Sequence, residues 1–204
     1  MIIKVVGAGI NHFTDLYKYD ENEYLIGVDG GAETIIQNNL SLKLAIGDFD
    51  SSSKDYIKKH CDNIITFPAH KDKSDLELTM IYLESVDWDI EDIIIYNATG
   101  NRLDHFYAGI HLLVNYSHLP IKIVDKMNMI SLIKDETVFT KNEYKYISFF
   151  ATEDNTIISL KGFQYDLDKY PLAVYDNLCL SNEIKKNRGT VSINNKKVIV
   201  FQSN

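Results

Sequence analysis

Up to about residue 125 the chain alternates short β-branched apolar runs with amphipathic stretches. That alternation restricts it to folds in which strands are covered by helices on both faces. Residues 2–6, 24–28, 42–46, 64–67, 93–96 and 121–124 read as strands. Residues 32–39, 53–60, 75–85 and 104–115 read as helices. In the third of these helices Leu76, Met80 and Leu83 share one face, and Ser74 with Glu77 forms a capping box at its start. Strand–helix alternation predicts a mostly parallel sheet with right-handed crossovers.

Beyond Lys126 the helical period fades. Residues 129–133, 146–151, 156–160, 172–175, 190–193 and 198–202 read as short strands separated by polar turns such as Glu153-Asp154-Asn155. This half predicts a small antiparallel β-sandwich. The expected fold class is therefore α/β, with a mostly parallel sheet flanked by helices in an N-terminal domain, residues 1–125. A smaller sandwich domain occupies residues 126–204.

Several function classes are disfavoured. The formal net charge of −8 repels nucleic-acid phosphates and anionic lipid, so no nucleic-acid or membrane partner is expected. No apolar run is long enough to cross a bilayer, and Met1-Ile-Ile-Lys-Val-Val lacks the build of a signal peptide, so the expected location is cytoplasmic. Cys61 and Cys179 have no metal-ligand spacing and read as idle thiols of a reducing compartment.

Ligands of parallel sheets sit beyond the carboxyl ends of the strands, so the residues after each strand carry the chemistry. After the second strand comes Val28-Asp29-Gly30-Gly31-Ala32. Its paired glycines either bring backbone amides to an anion or form a turn with Asp29 as helix cap. After the third comes Gly47-Asp48-Phe49-Asp50-Ser51. Two aspartates at i and i+2 on extended backbone point the same way and can reach one hard cation; the plainer alternative is a polar loop capping the next helix. The fourth loop, His70-Lys71-Asp72-Lys73-Ser74-Asp75, places Asp75 in a first helical turn, as dipole partner, metal carboxylate or general base. There Lys71 or Lys73 could touch phosphate, while His70 reads as a solvated loop residue. The fifth, Thr99-Gly100-Asn101-Arg102-Leu103-Asp104-His105, offers a guanidinium suited to phosphate oxygens. Asp104 either caps the helix or joins the acidic set.

Helix capping explains any one of these loops more readily than all four. Carboxylates for Mg²⁺ with an arginine for phosphate are the equipment of phosphoryl transfer. No Walker loop, H-E-x-x-H or nucleophile elbow is present. Gly7-Ala8-Gly9 begins a G-x-G-x-x-G, but His12 stands where the third glycine belongs, so dinucleotide binding there is not expected.

Taken together, Asp29-Gly30-Gly31-Ala32, Gly47-Asp48-Phe49-Asp50-Ser51, Lys73-Ser74-Asp75-Leu76-Glu77, Gly100-Asn101-Arg102-Leu103-Asp104-His105 and Leu180-Ser181-Asn182-Glu183 resemble thiamine pyrophosphokinase of the bacterial type. The resemblance implies a homodimer with the active site where two subunits meet, and ATP, Mg²⁺ and thiamine as ligands. The implied reaction carries the pyrophosphoryl group of ATP to thiamine's hydroxyl, giving thiamine diphosphate and AMP. It implies Asp48, Asp50 and Asp75 as catalytic and metal-binding carboxylates. Asp29, Gly30, Arg102, Asp104 and His105 would serve ATP, and Ser181 and Asn182 the thiamine pocket; read without the resemblance, those two are an ordinary turn after a strand at residues 177–180.

Two features depart from the family pattern. Asn101 replaces a usual glycine, which suits left-handed backbone. The only tryptophan, Trp88, lies in the first domain, so no C-terminal Trp can stack on thiamine. The competing readings are a D-x-D metal-dependent glycosyltransferase and a non-catalytic nucleotide or thiamine sensor.

Overall fold

A computed structural model describes residues 1–49, 51–67 and 72–204, apart from the side chains of Ser51 and Ser52. Asp50, His70 and Lys71 therefore lie outside the described residues. The chain divides into two compact units, Met1–Lys126 and Met127–Asn204.

In the first unit, β1 (Ile2–Val6), β2 (Glu23–Val28), β3 (Leu44–Gly47), β4 (Ile64–Thr66), β5 (Asp92–Tyr96) and β6 (Ile121–Val124) form a parallel sheet in the order β4-β3-β2-β1-β5-β6. The intervening helices are α1 (Phe13–Leu16), α2 (Gly30–Gln37), α3 (Ser51–Lys58), α4 (Asp75–Ser85) and α5 (Leu103–Asn115). One apolar cluster joins Val6, Leu25, Ala45 and Tyr96 of the strands to Phe13, Ile35, Ile36 and Ile57 of α1, α2 and α3. Met80 and Leu83 of α4 and Leu112 and Leu113 of α5 are also buried. Ile3, Val5, Ile93 and Ile95 consequently reach full burial, each contributing roughly 1.5–3 kcal/mol of hydrophobic stabilisation.

Consecutive strands β1 to β4 extend the sheet in one direction, and β5 then starts again on the other side of β1. The sheet therefore has a switch point between β1 and β5, the place where open α/β sheets form their ligand crevices.

Helix ends follow local chemistry. Ser74 caps α4 by accepting from the Glu77 N–H at 3.2 Å, which is one half of the predicted capping box. The Glu77 carboxylate turns instead to Lys73, at 2.5 Å. Asp29 occupies the N-cap position of α2, but its carboxylate makes no capping bond. The four-residue α1 was not anticipated, because it is too short to show a helical period.

Lys4, in the middle of β1, is 3% exposed. Its ammonium bonds the Glu23 carboxylate at 2.6 Å and the Lys18 carbonyl, and lies 4.7 Å from the centre of the Tyr17 ring. The Tyr17 hydroxyl donates to the other Glu23 oxygen at 2.5 Å. Burial, with Glu23 beside it, pushes the Tyr17 phenol well above its usual range. One buried cation is thus neutralised and the segment from α1 to β2 is tied to the sheet.

The second unit contains β7 (Asn128–Ile133), β8 (Thr137–Thr140), β9 (Tyr146–Ala151), β10 (Thr156–Lys161), β11 (Leu167–Leu172), β12 (Arg188–Ile193) and β13 (Val198–Ser203). Antiparallel pairing orders them β7-β13-β9 in one layer and β11-β10-β12-β8 in the other. The layers share a core of Phe149, Val198, Ile158, Leu160 and Val191, into which Phe163 inserts. The Phe149 and Phe163 rings meet edge to face at 5.6 Å.

Two sequence expectations are corrected here. The strand expected at 172–175 lies at Leu167–Leu172, its polar residues and Pro171 tolerated because β11 is an edge strand. Residues 177–180, read from sequence as a strand, form turns instead.

Removing Glu23 leaves the Lys4 ammonium buried without its counter-charge. Glu23→Ala is expected to lower unfolding stability by about 3–5 kcal/mol in urea titrations. A loss below about 1 kcal/mol, the range of exposed pairs, would contradict this account of the cluster.

Candidate active site

A cleft of about 840 Å³ opens in the first unit at the sheet's switch point. It is lined by the loops after β1 and β5, the end of β2, the first turn of α4, and α5 as far as Leu112. Of the residues expected from sequence, Asp29, Asp75, Arg102, Asp104 and His105 line it. Gly30 and Asp48 are exposed nearby in the chain but are not lining residues. Ser181 and Asn182 belong to the second unit.

Asp29 is held in an unusual conformation, with φ 49° and ψ −127°. A side chain in that region costs on the order of 1–3 kcal/mol and needs the surroundings to enforce it. Its N–H donates to the Ile46 carbonyl at 2.9 Å, and its carbonyl accepts from Ala32 N–H at 3.1 Å. Its carboxylate lies against the α-carbon of Gly47, where a Cβ would stand 2.3 Å from Asp29 Oδ1. The glycine beginning the Gly-Asp-Phe-Asp motif therefore makes room for the aspartate after β2. Phe49 packs against the apolar cluster, while Asp48 is exposed.

Asp75 begins α4, its carbonyl accepting from the Thr79 hydroxyl at 2.8 Å. Arg102 precedes α5 and is 70% exposed. Its guanidinium grips Asp104 with Nη2 at 2.7 Å and Nε at 3.4 Å. That hydrogen bonding holds the Asp104 carboxyl below the usual carboxylate range, so the pair stays charged at neutral pH. Asp104 makes no helix cap; it partners Arg102, with His105 Nε2 4.0 Å away. Lys73 is taken up by Glu77 rather than lining the cleft. Asn101 is not in left-handed backbone, so it replaces a glycine there without strain.

The loop Gly7–Ile10, set aside in the sequence for its missing third glycine, lines the cleft directly. Asn97 and Thr99 join it. No periodicity could have marked them, since they act through contacts between loops nearly ninety residues apart.

Among the described residues no group of three or more His, Cys, Asp or Glu side chains is placed to hold a metal ion. Mg²⁺ characteristically takes one or two carboxylates and completes its shell with water and substrate phosphates. Asp29 and Asp75 in the cleft, with oxygen donors only, are of that chemistry.

In the second unit Ser181 has left-handed backbone (φ 54°), and its N–H donates to Ser148 Oγ at 2.9 Å. Asn182 is 2% exposed. Its amide donates to the Tyr165 carbonyl at 2.8 Å and accepts from the N–H groups of Tyr165 and Glu183. Ser181 is exposed, whereas the Asn182 side chain is committed to the turn. Trp88 packs tilted against Tyr24 and edge-on against Tyr82 in the first unit.

Comparison with known proteins agrees across the chain. The thiamin pyrophosphokinase catalytic-domain model matches residues 17–124, and the thiamin pyrophosphokinase vitamin B1 binding-domain model matches 131–200. The chain belongs to the thiamin pyrophosphokinase family. It is 35% identical to the thiamine pyrophosphokinase of Bacillus subtilis (strain 168), over 98% of this chain and 96% of that protein. A crystal structure of thiamine pyrophosphokinase from Bacillus subtilis superposes with a TM-score of 0.86 at 31% identity, covering 100% of this chain and 99% of that one. One from Geobacillus thermodenitrificans gives 0.85 at 26% identity, with 100% and 98% covered. Within the thiamin pyrophosphokinase family frame, the cleft of the first unit falls in the catalytic-domain match and the Ser181–Asn182 turn in the vitamin B1 binding match.

The hydrogen bonding separates two residues that looked alike in sequence. Asn182→Ala is expected to destabilise the protein by about 1–3 kcal/mol in denaturant melts, because buried backbone groups lose their partners. Ser181→Ala should stay within about 0.5 kcal/mol of the parent. Equal effects would contradict the assignment of Asn182 to the turn's own architecture.

Proposed function

We propose that the protein is a thiamine diphosphokinase, an ATP-dependent enzyme that moves the pyrophosphoryl group of ATP to the hydroxyl of thiamine. The products are thiamine diphosphate and AMP. The observation that carries this reading is the switch-point cleft. Asp75 and Arg102 line its mouth, in a chain matched by family models over both halves.

The fit is chemical. In phosphoryl transfer, catalysis consists of positioning and of neutralising charge on equatorial oxygens. Arg102, exposed and oriented by Asp104, offers a planar donor fork to phosphate. Asp48, Asp50 and Asp75 would hold Mg²⁺ together with ATP phosphates. When bound, the ion supplies charge neutralisation at those oxygens. Asp29 and Gly30 would border the phosphates, and His105, next to Asp104, the nucleotide.

The thiamine hydroxyl attacks the β-phosphorus, a new O–P bond forms, and the bond between the β-phosphorus and the bridging oxygen to the α-phosphate breaks. AMP leaves with that bond's electron pair. The hydroxyl proton passes to a nearby carboxylate, Asp75 or Asp50. Ser181 would meet thiamine with its exposed hydroxyl, and Asn182 would hold the turn that presents it.

A homodimer fits the exposed apolar side chains Leu103 and Tyr107 on the first turns of α5, which are 72% and 64% exposed. No helix among the described residues is long and apolar enough to cross a membrane. A cytoplasmic setting suits an enzyme that draws on ATP and keeps Cys61 and Cys179 as free thiols. Neither a sugar-nucleotide transferase nor a non-catalytic sensor is favoured by the family membership.

Incubation with ATP, Mg²⁺ and thiamine is expected to release AMP and thiamine diphosphate in equal amounts, followed by chromatography. Asp75→Asn should cut turnover by roughly 10²-fold or more while leaving the circular dichroism spectrum unchanged. Release of ADP instead of AMP, or normal turnover by Asp75→Asn, would overturn the assigned chemistry.

A further inference from the structure

Asn97 follows β5, where the sheet's direction of growth reverses. It is 2% exposed and has left-handed backbone, φ 57°. Its side-chain Oδ1 accepts from two successive backbone N–H groups, His12 at 2.8 Å and Phe13 at 2.9 Å, at the start of α1. His12 itself makes no side-chain cap there, and Asn11 Oδ1 adds a longer bond from the Thr14 N–H at 3.3 Å. The Asn97 carbonyl accepts the Gly9 N–H at 2.9 Å, and on either side Gly7 N–H reaches Tyr96 O at 2.9 Å and Ile10 N–H reaches Thr99 O at 3.3 Å. A Cβ on Gly9 would stand 2.2 Å from the Asn97 carbonyl oxygen, so only glycine allows this approach.

Gly7, Gly9, Asn97 and Thr99 all line the cleft. The wall formed by residues 7–10 thus owes its shape to Asn97, which grips the segment at Gly9 and again at residues 12 and 13. Among the described residues, Asn97 Nδ2 and Thr99 Oγ1 are buried without a hydrogen-bond partner. Unpaired buried polar atoms are uncommon in a merely structural loop and concentrate where a fold serves a ligand.

We infer that Asn97 is a positioning residue that clasps the Gly7–Ile10 segment against the end of β5, and that this segment forms the wall of the nucleotide subsite. The inference rests on the reading of the cleft as the ATP site. Asn97 acts through the loop rather than on the reacting atoms, so its loss weakens ATP binding more than thiamine binding.

The test compares Asn97→Gly, which removes the amide while tolerating φ 57°, with Asn97→Asp, which keeps the acceptor oxygen. Steady-state kinetics on the full-length protein should show KM for ATP raised about tenfold in Asn97→Gly, with KM for thiamine changed less than about twofold, since two positioning hydrogen bonds are lost. Asn97→Asp should recover most of the ATP KM. Gly9→Ala, which pushes the same loop off the Asn97 carbonyl, should reproduce the selective rise and serves if Asn97→Gly does not fold. Unchanged ATP KM in the folded variants, or equal rises for both substrates, would overturn the clasp. Absence of ATP-dependent turnover in the parent protein would instead reject the functional reading, independently of the variants.

Discussion

The reversal of strand order between β1 and β5 is the constraint on which the remaining arrangement depends. Strands β2, β3 and β4 are added in turn on one side of β1, and β5 and β6 on the other. The loops after β1 and β5 leave the sheet side by side at this reversal. Their bases are joined by backbone hydrogen bonds and by Asn97, so the crevice has a fixed floor rather than a loose mouth. The other cleft groups are then added from neighbouring elements: Asp29 at the end of β2, Asp75 and Arg102 at the starts of α4 and α5.

This arrangement accounts for local features that look costly in isolation. Asp29 accepts a strained backbone because Gly47 leaves space for its carboxylate and because its N–H and carbonyl bond Ile46 and Ala32. Strain at a residue that lines a cleft is a common sign that position matters more than local stability. Lys4, by contrast, is buried within β1 and completed by Glu23 and Tyr17. Asp29 lines the cleft, whereas Lys4 is enclosed in the scaffold.

Much of the first unit was legible in the sequence. Strands Ile2–Val6 and Ile121–Val124 and helix Asp75–Ser85 fall at the residues expected, because the strands are β-branched apart from Lys4 and Lys122 and the helix opens on the Ser74 cap. The strand at Leu167–Leu172 and the strand Thr137–Thr140 were hidden by exposed edge positions, where polar residues break the alternation. In the cleft, Asp29, Asp75, Arg102, Asp104 and His105 were visible because they fall in the segments between a strand and the start of the next helix. The Gly7–Ile10 wall was not, since its role comes from pairing with residues 96–99 rather than from a complete glycine motif. Asn97 was invisible for the same reason: nothing in its neighbourhood along the chain marks an asparagine that caps a helix eighty-four residues away.

The most direct test of the account is a crystal structure of the protein with Mg²⁺ and a non-hydrolysable ATP analogue. The account predicts the phosphates at the carboxyl ends of β1 and β5, within hydrogen-bonding reach of Arg102, and a cation bound by Asp75 together with Asp48 and Asp50. A nucleotide seated elsewhere, or aspartates too far apart to share that cation, would contradict it.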